Sequence, residues 1–293
     1  MSKDTPIEWA DSSVNPVMGC DGCELWNPKT GIKTCYAGQI HEMRAGQPGY
    51  ADDFLVPKLF AGRMAEAARW RDLTGTDRPD KPWLNDMPRM VFVSDMGDAL
   101  SKDVPFRFLW EEVIQNVARW RHIGLWLTKQ PGRMAEFSRW LADKGVGWPP
   151  NLWAMTSITG PQTLARVKQL RSVVGPVVRG LSIEPILQDP GDIDLSGIQW
   201  AIMGGESGKG ARMCEVENVR RMVVRVRAAG AAPFVKQLGS VPVLNEEVTG
   251  NFRTFQGRRQ LEMKVVKLPI SDRKGGQMSD WPDDLRGVRE VPR

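Results

Sequence analysis

From residue 85 onward, short apolar runs alternate with longer runs in which apolar residues recur at helical spacing. The strand-like runs cover residues 90–94, 124–128, 151–156, 177–183, 200–205 and 233–236. The helix-like runs between them cover residues 104–120, 132–143, 162–174 and 216–229. Such alternation is typical of a parallel sheet built from right-handed βα crossovers.

With a further strand near residues 13–18, the pattern gives about six or seven βα units. We therefore predict an α/β fold of the partial or complete (β/α) TIM-type barrel kind. A helical insertion is expected near residues 38–88, and an irregular extension is expected at the C-terminal end. The predicted domains are a barrel over residues 1–240 and an extension over residues 241–293, packed on the barrel. A doubly wound sheet is the alternative, which the absence of Gly-x-Gly-x-x-Gly after an early strand disfavours.

The chain has no apolar run of about 18 residues and begins without the apolar stretch of a secretory signal. We therefore expect a cytoplasmic protein without a membrane partner. The formal net charge of +5 permits a nucleic-acid partner but does not require one.

Three of the chain's 4 cysteines lie close together, at Cys20, Cys23 and Cys35. In a reducing compartment, clustered cysteines indicate metal binding or catalysis more readily than disulfides. Spacing alone leaves three interpretations open. One is a structural zinc site completed by His41 or Cys214. The second is an iron–sulfur cluster held by three thiolates, with one open iron, and the third is unrelated free thiols.

In a βα barrel, functional residues lie at the C-terminal ends of the strands. Here every such end is polar, which predicts a functional rim. Its residues include Ser94 and Asp95, Thr128 with Lys129 and Gln130, Ser157, Glu184, Gly204, Gly205, Glu206 and Ser207, and Lys236 with Gln237. The glycine pair would let backbone amides approach a carboxylate, ribose or phosphate, or would simply form a tight turn. Glu184 would grip a ribose hydroxyl or an ammonium group, or would form a structural ion pair.

Eight segments carry a resemblance to a known family. They are residues 7–11, 15–20, 35–37, 127–134, 181–185, 204–208, 234–239 and 281–286. In this order and over nearly the whole chain, they resemble the phage Gp37/Gp68 family, a domain of unknown function. That family in turn is similar to radical S-adenosylmethionine enzymes of the spore photoproduct lyase type.

The resemblance implies a [4Fe–4S] cluster on Cys20, Cys23 and Cys35. It also implies cleavage of S-adenosylmethionine to a 5′-deoxyadenosyl radical, after reduction by an electron donor. The substrate would be a nucleic-acid base or nucleotide, which is modified or repaired in a bacterial host cell. The alternative function is a zinc-stabilised nucleic-acid binding or processing protein on the same barrel, without radical chemistry.

The remaining assignments combine this resemblance with the polar strand ends, except that of Cys214, which lies outside the family pattern. The S-adenosylmethionine pocket would use Tyr36, Ser94, Asp95, Thr128, Ser157, Glu184, Gly204, Gly205, Glu206 and Ser207. Lys129 and Gln237 would contact the substrate, and Lys236 is a catalytic candidate. Cys214 would be a hydrogen-atom donor or a buried spare thiol. The usual spacing in radical S-adenosylmethionine enzymes is Cys-x₃-Cys-x₂-Cys, so the insertion at residues 24–34 is expected to bulge out and let Cys35 join the other two.

Overall fold

The computed structural model describes residues 1–255 and 258–293. Its strands are β1 (Ser12–Val14), β2 (Val17–Met18), β3 (Trp26–Asn27), β4 (Ile32–Lys33), β5 (Lys58–Leu59), β6 (Met90–Val93), β7 (Ile123–Thr128), β8 (Leu152–Ile158), β9 (Arg179–Ile183), β10 (Trp200–Gly204), β11 (Cys214–Glu215), β12 (Ala232–Gln237), β13 (Pro242–Phe255) and β14 (Arg258–Lys267).

The α-helices are α1 (Tyr36–Met43), α2 (Arg63–Ala67), α3 (Phe106–Phe108), α4 (Gln115–Val117), α5 (Pro131–Asp143), α6 (Ala165–Arg171) and α7 (Val216–Ala228). A π-helix (Leu109–Ile114) joins α3 to α4. Three short 3₁₀ turns cover Pro82–Leu84, Pro161–Thr163 and Met278–Asp280. None of the helices in the described part of the chain has the length and apolar character needed to cross a membrane.

Seven strands form one parallel sheet in the order β1-β6-β7-β8-β9-β10-β12. The spatial order follows the chain order without the reversal that marks a doubly wound sheet. The predicted parallel α/β sheet is therefore confirmed. Within the described residues β1 and β12 are both edges, so the strand order is that of a half-barrel, and a closed TIM-type barrel is not shown.

The chain divides into two compact units. The first comprises residues 1–157, 165–181 and 197–199, and the second comprises residues 158–164, 182–196 and 200–293. The boundary predicted after residue 240 stays a prediction.

The core of the first unit lies around its central strands. Every residue of β6 and of β8 is buried, as expected for parallel strands covered on both faces. Trp126 of β7 stacks on Trp148 with ring centroids 5.8 Å apart and meets Phe137 of α5 edge-on. These aromatic contacts bind the helix layer to the sheet.

The insertion near residues 38–88 is less helical than predicted. Beyond α1 its helical elements are the five-residue α2 and one 3₁₀ turn, and it also contains the two-residue strand β5. Hydrogen bonds from side chains to the backbone hold the non-helical parts of this insertion. Arg78 donates hydrogen bonds to the carbonyl groups of Leu84, Met87 and Pro88. Buried Glu112 accepts the amide N–H groups of Gly62 and Met64 at 2.8 Å each, at the start of α2. Helical periodicity was a poor guide here, because side-chain to backbone bonds hold the segment.

The C-terminal extension was predicted to be irregular, and this was wrong for the part up to Lys267. β13 and β14 form an antiparallel hairpin, and β11 adds to β13 in parallel. Beyond the hairpin, the amide of Val235 donates to Val288 at 2.7 Å, and that of Glu290 donates to Pro233 at 3.0 Å. Among the described side chains of β14, Lys264, Val265 and Lys267 lie exposed, so this stretch carries no alternation of buried and exposed residues that a sequence pattern could reveal.

Candidate functional site: a cysteine loop at the end of the first strand

The insertion between Cys23 and Cys35 folds as a small hairpin. Trp26 pairs with Lys33, and Asn27 pairs with Ile32, in the antiparallel ladder of β3 and β4. The hairpin closes on itself, because the amide of Cys35 donates to the carbonyl of Leu25 at 3.0 Å. The two ends of the insertion are therefore brought together, and Cys35 returns to the chain segment that follows Cys23.

The start of the cysteine loop packs backbone to backbone on the loop after β6. Gly19 forms a parallel bridge with Gly97, and the amide of Asp98 donates to the carbonyl of Gly19 at 3.1 Å. A Cβ on Gly97 would lie 2.4 Å from the carbonyl oxygen of Gly19. This approach leaves no room for a side chain at position 97.

Asp21 ties the middle of the loop to two neighbouring loops. Its amide donates to the hydroxyl of Ser101 at 3.3 Å. Its carboxylate accepts the amide N–H of Lys102 at 2.8 Å and a side-chain N–H of Gln130, which follows β7. One of the two residues between Cys20 and Cys23 is thus held at the carboxyl ends of two strands.

Asp98 is the buried centre of this arrangement, and sequence reasoning missed it. Its carboxylate accepts the amide N–H groups of Leu100 and Lys129 at 3.0 Å each. The hydroxyl of Thr128 lies 2.8 Å from both carboxylate oxygens. Burial raises the pKa of Asp98. Asp98 lies several residues beyond the end of β6, so the list of strand-end residues did not include it. Its position directly after Gly97 was the one signal in the sequence.

The local charges act differently on the first two thiols. Burial, followed by the negative charge of Asp98, raises the pKa of Cys20 to about 12. Burial also raises the pKa of Cys23, but the ammonium group of Lys129 opposes that rise. Free Cys20 is therefore a neutral thiol near pH 7, and Lys129 is the nearby group that favours a thiolate at Cys23.

An aromatic cluster covers the loop. Trp26 and Phe54 meet edge-on with centroids 5.2 Å apart, and Cys20 and Cys35 pack against them. Gly38 of α1 lies directly under Trp26, where a Cβ would come within 2.4 Å of the indole ring. Soft sulfur atoms thus meet an apolar surface that keeps water from one side of the loop.

Tyr36 and Asp95 link α1 to the end of β6. The hydroxyl of Tyr36 donates to the main-chain oxygen of Asp95, while the side chain of Asn15 donates to its carboxylate. Burial raises the pKa of Asp95. The preceding Ser94 is buried with φ of 72°, a strained conformation for a residue other than glycine. Such strain at a strand end is typical of functional sites.

The donor set suits an iron–sulfur cluster in its chemistry, since three thiols lie on one loop. As they stand, no three His, Cys, Asp or Glu side chains among the described residues are close enough to share a metal ion. The sulfur atoms would have to turn toward one another. His41 is bound elsewhere, with Nε2 2.7 Å from the carbonyl oxygen of Ala51.

In the second unit, Glu184 and Lys236 form an ion pair at 2.9 Å with most of both side chains buried. Ser182 donates to the same carboxylate at 3.0 Å. A Cβ on Gly204 would lie 3.3 Å from Glu184 Oε1. Gly204 ends β10, the strand between β9 and β12, so the ion pair lies over a position that has no side chain. The carboxylate of Glu184 and the ammonium group of Lys236 are therefore partners of each other, which is the arrangement of a structural ion pair.

The glycine-rich end of β10 is also fixed. Gln237 donates to the carbonyl of Gly205 at 3.0 Å, and Glu206 forms a two-point ion pair with Arg212 at 2.8 and 2.9 Å. Cys214 is fully buried, and burial raises its pKa to about 12. That placement favours the spare-thiol interpretation.

The predicted site residues divide between the units. The first unit contains Cys20, Cys23, Cys35, Tyr36, Ser94, Asp95, Thr128, Lys129 and Ser157. The second contains Glu184, Gly204, Gly205, Glu206, Ser207, Cys214, Lys236 and Gln237. The second unit also contains a cavity of about 220 Å³ lined by residues such as Ile183, Gln162 and Arg212.

One family model matches residues 4–264, and its description is "Protein of unknown function (DUF5131)". The chain belongs to the DUF5131 family. The matched range includes every predicted site residue of this DUF5131 member. No curated protein matches the chain, and no solved structure does.

Proposed function

We propose that this DUF5131 protein is a phage-type enzyme of the radical S-adenosylmethionine kind, with a [4Fe–4S] cluster on Cys20, Cys23 and Cys35. The observation that carries the proposal is the hairpin between Cys23 and Cys35. It supports the proposal despite the unusual spacing, because the amide of Cys35 binds Leu25, two residues after Cys23.

The location of the loop supports the same function. It follows β1, at the carboxyl edge where barrel-type enzymes hold their functional groups. The loop is also held firmly at two points. Asp21 is bound by Lys102 and Gln130, and Glu24 forms a two-point ion pair with Arg166 at 2.9 and 2.7 Å. A cofactor loop fixed in this way loses little further conformational entropy on binding.

The charged side chains of Lys129 and Asp98 act on different cysteines of the loop. Cluster ligands are thiolates, so the cation of Lys129 stabilises the bound form of Cys23. The buried carboxylate of Asp98 acts in the opposite sense on Cys20 and holds Thr128 and Lys129 in place. Trp26 and Phe54 give Cys20 and Cys35 an apolar surface to pack against.

When bound and reduced, the cluster would supply the electron that splits S-adenosylmethionine and yields a 5′-deoxyadenosyl radical. Ser94, with its strained backbone, and Asp95 are the first-unit candidates to orient S-adenosylmethionine. Thr128 and Ser157 have the same candidate role, while Lys129 would contact the substrate. In the second unit, Glu184 and the segment 204–207 are candidates for the cofactor, and Gln237 and Lys236 are candidates for the substrate.

The proposed substrate is a nucleic-acid base or nucleotide, supported by the net charge of +5 and by the lyase resemblance. The proposal includes a separate electron donor. It makes no use of Cys214, which is buried in the second unit.

The test is anaerobic reconstitution with iron and sulfide. We expect brown protein with broad thiolate-to-iron absorption and about four irons per chain. With reductant and S-adenosylmethionine, it should release 5′-deoxyadenosine. Cys23→Ala should lose the colour and the iron, whereas Cys214→Ala, the matched control, should keep both.

Colourless protein that retains one tightly bound zinc would overturn the proposal and favour the zinc-stabilised nucleic-acid protein. Full iron content in Cys23→Ala would also contradict it, because the cluster would then lie elsewhere.

A further inference from the structure

Two loops of the second unit meet at one hydroxyl group. Ser240 accepts the amide N–H of Gly208 at 3.1 Å and donates to the carbonyl of Arg273 at 2.6 Å. Lys209 and Lys274, the next residues along the two loops, are therefore brought to neighbouring positions. We call residues 206–213 and 271–276 the basic loop pair.

The basic loop pair is held rigidly by close backbone packing. A Cβ on Gly275 would lie 2.5 Å from the carbonyl oxygen of Gly239. A Cβ on Gly239 would lie 2.6 Å from the carbonyl oxygen of Glu206. The two loops thus sandwich Gly239 without intervening side chains, and their charged residues are displayed from fixed positions.

The charge on this surface is unbalanced. Its cations are Lys209, Arg212, Arg273 and Lys274, and all four are exposed. Glu206 is engaged by Arg212, and Asp272 points at the amide N–H groups of Lys274 and Gln277, at 2.6 Å each. Within the described part of the chain, no acidic side chain pairs with the other three cations. A positive surface therefore remains.

The backbone of the first loop is open to a ligand. Gly208 and Gly210 have φ of 107° and 79°, and no atom lies within 4 Å of the position that a Cβ would take on either. Met213, near this loop in the sequence, is 58% exposed. Space beside the main chain of Gly208 and Gly210 therefore remains for a ligand.

We propose that the basic loop pair binds the sugar–phosphate backbone of a nucleic-acid strand. The proposal rests on the nucleic-acid part of the proposed function and gives the strand a place. Cations spread over two loops match phosphates repeated along a strand better than one small anion, which needs donors that converge on a point. The exposed methionine adds an apolar contact for a base or sugar.

The test is fluorescence anisotropy with a labelled single strand of about 20 nucleotides, over about 50 to 200 mM salt. Full-length Lys209→Ala/Lys274→Ala should bind at least about tenfold more weakly at the lowest salt. Its slope of log affinity against log salt should fall by about 1.4, because each lost phosphate contact removes about 0.7. The control Lys144→Ala/Lys168→Ala removes two exposed lysines of the first unit and should bind like the parent.

Unchanged affinity and slope in Lys209→Ala/Lys274→Ala would overturn the proposal, and so would an equal loss in the control. Displacement of the strand by inorganic phosphate at matched ionic strength would overturn it too, because the site would then recognise a small anion. Binding is measured without iron or S-adenosylmethionine. A protein that binds the strand but no iron therefore contradicts the radical function alone.

Discussion

The hydroxyl of Thr128 lies 2.8 Å from both carboxylate oxygens of Asp98, and its oxygen accepts the amide N–H of Gln130 at 2.8 Å. Thr128 ends β7, and Asp98 belongs to the loop after β6, whose backbone packs on Gly19. One buried threonine therefore joins two strand ends to the base of the cysteine loop.

Thr128→Val should destabilise the protein by about 1–3 kcal/mol, because valine keeps the shape but leaves a buried carboxylate short of one hydrogen bond. Urea unfolding measures the loss. The control Thr30→Val, at an exposed position in the hairpin loop, should leave the free energy of unfolding unchanged. Equal stability of Thr128→Val and the parent would show that Asp98 does not depend on this hydroxyl.

Gly97→Ala should shift the cysteine loop, because its Cβ would meet the Gly19 carbonyl oxygen at 2.4 Å. Overpacking of this kind costs about 1–3 kcal/mol, and we expect lower iron content after reconstitution. Gly147→Ala is the matched control, since nothing lies within 4 Å of its Cβ position. Thermal unfolding and iron analysis check both variants, and normal iron content in Gly97→Ala would contradict the close approach.

The strand and helix pattern predicted the sheet well, because buried parallel strands such as β8 are short, continuous apolar runs. It also located the strand-end residues Thr128 and Glu184. It could not find Asp98, because Thr128 and Lys129, which donate to its carboxylate, lie 30 and 31 residues away along the chain. The cysteine spacing was likewise uninformative until the pairing of Trp26 with Lys33 showed how the insertion folds.

Arg78→Met should destabilise the protein by about 3–5 kcal/mol, since it leaves Asp11 as a buried charge without its partner. The pair meets at 2.8 Å with both side chains 7% exposed. Arg107→Met breaks an ion pair of the same 2.8 Å length in which Arg107 is 80% exposed, and it should have no measurable effect on stability. Chemical unfolding distinguishes the two. Similar losses of stability in Arg78→Met and Arg107→Met would mean that burial does not determine the cost of breaking an ion pair.

His122 should make the protein less stable in mild acid. Its ring is buried, Nε2 lies 3.2 Å from the carbonyl oxygen of Ala67, and Nδ1 has no partner among the described residues. Burial, followed by the charge of Arg89, lowers the pKa of His122. The unfolded chain therefore binds the proton more readily than the folded chain does. The contribution of neutral His122 to the free energy of unfolding is fully present above the unfolded pKa of about 6.5. It is lost as the pH falls through the lower pKa of the folded state.

The measurement is the free energy of unfolding of the parent and of His122→Gln between about pH 8 and pH 5. The glutamine retains an N–H donor for Ala67 but does not titrate, so the fall below about pH 6.5 should be shallower in the variant. His41→Gln, at the chain's other buried histidine, is the control for loss of a packed ring. Parallel pH curves for the parent and His122→Gln would assign the acid sensitivity to other groups.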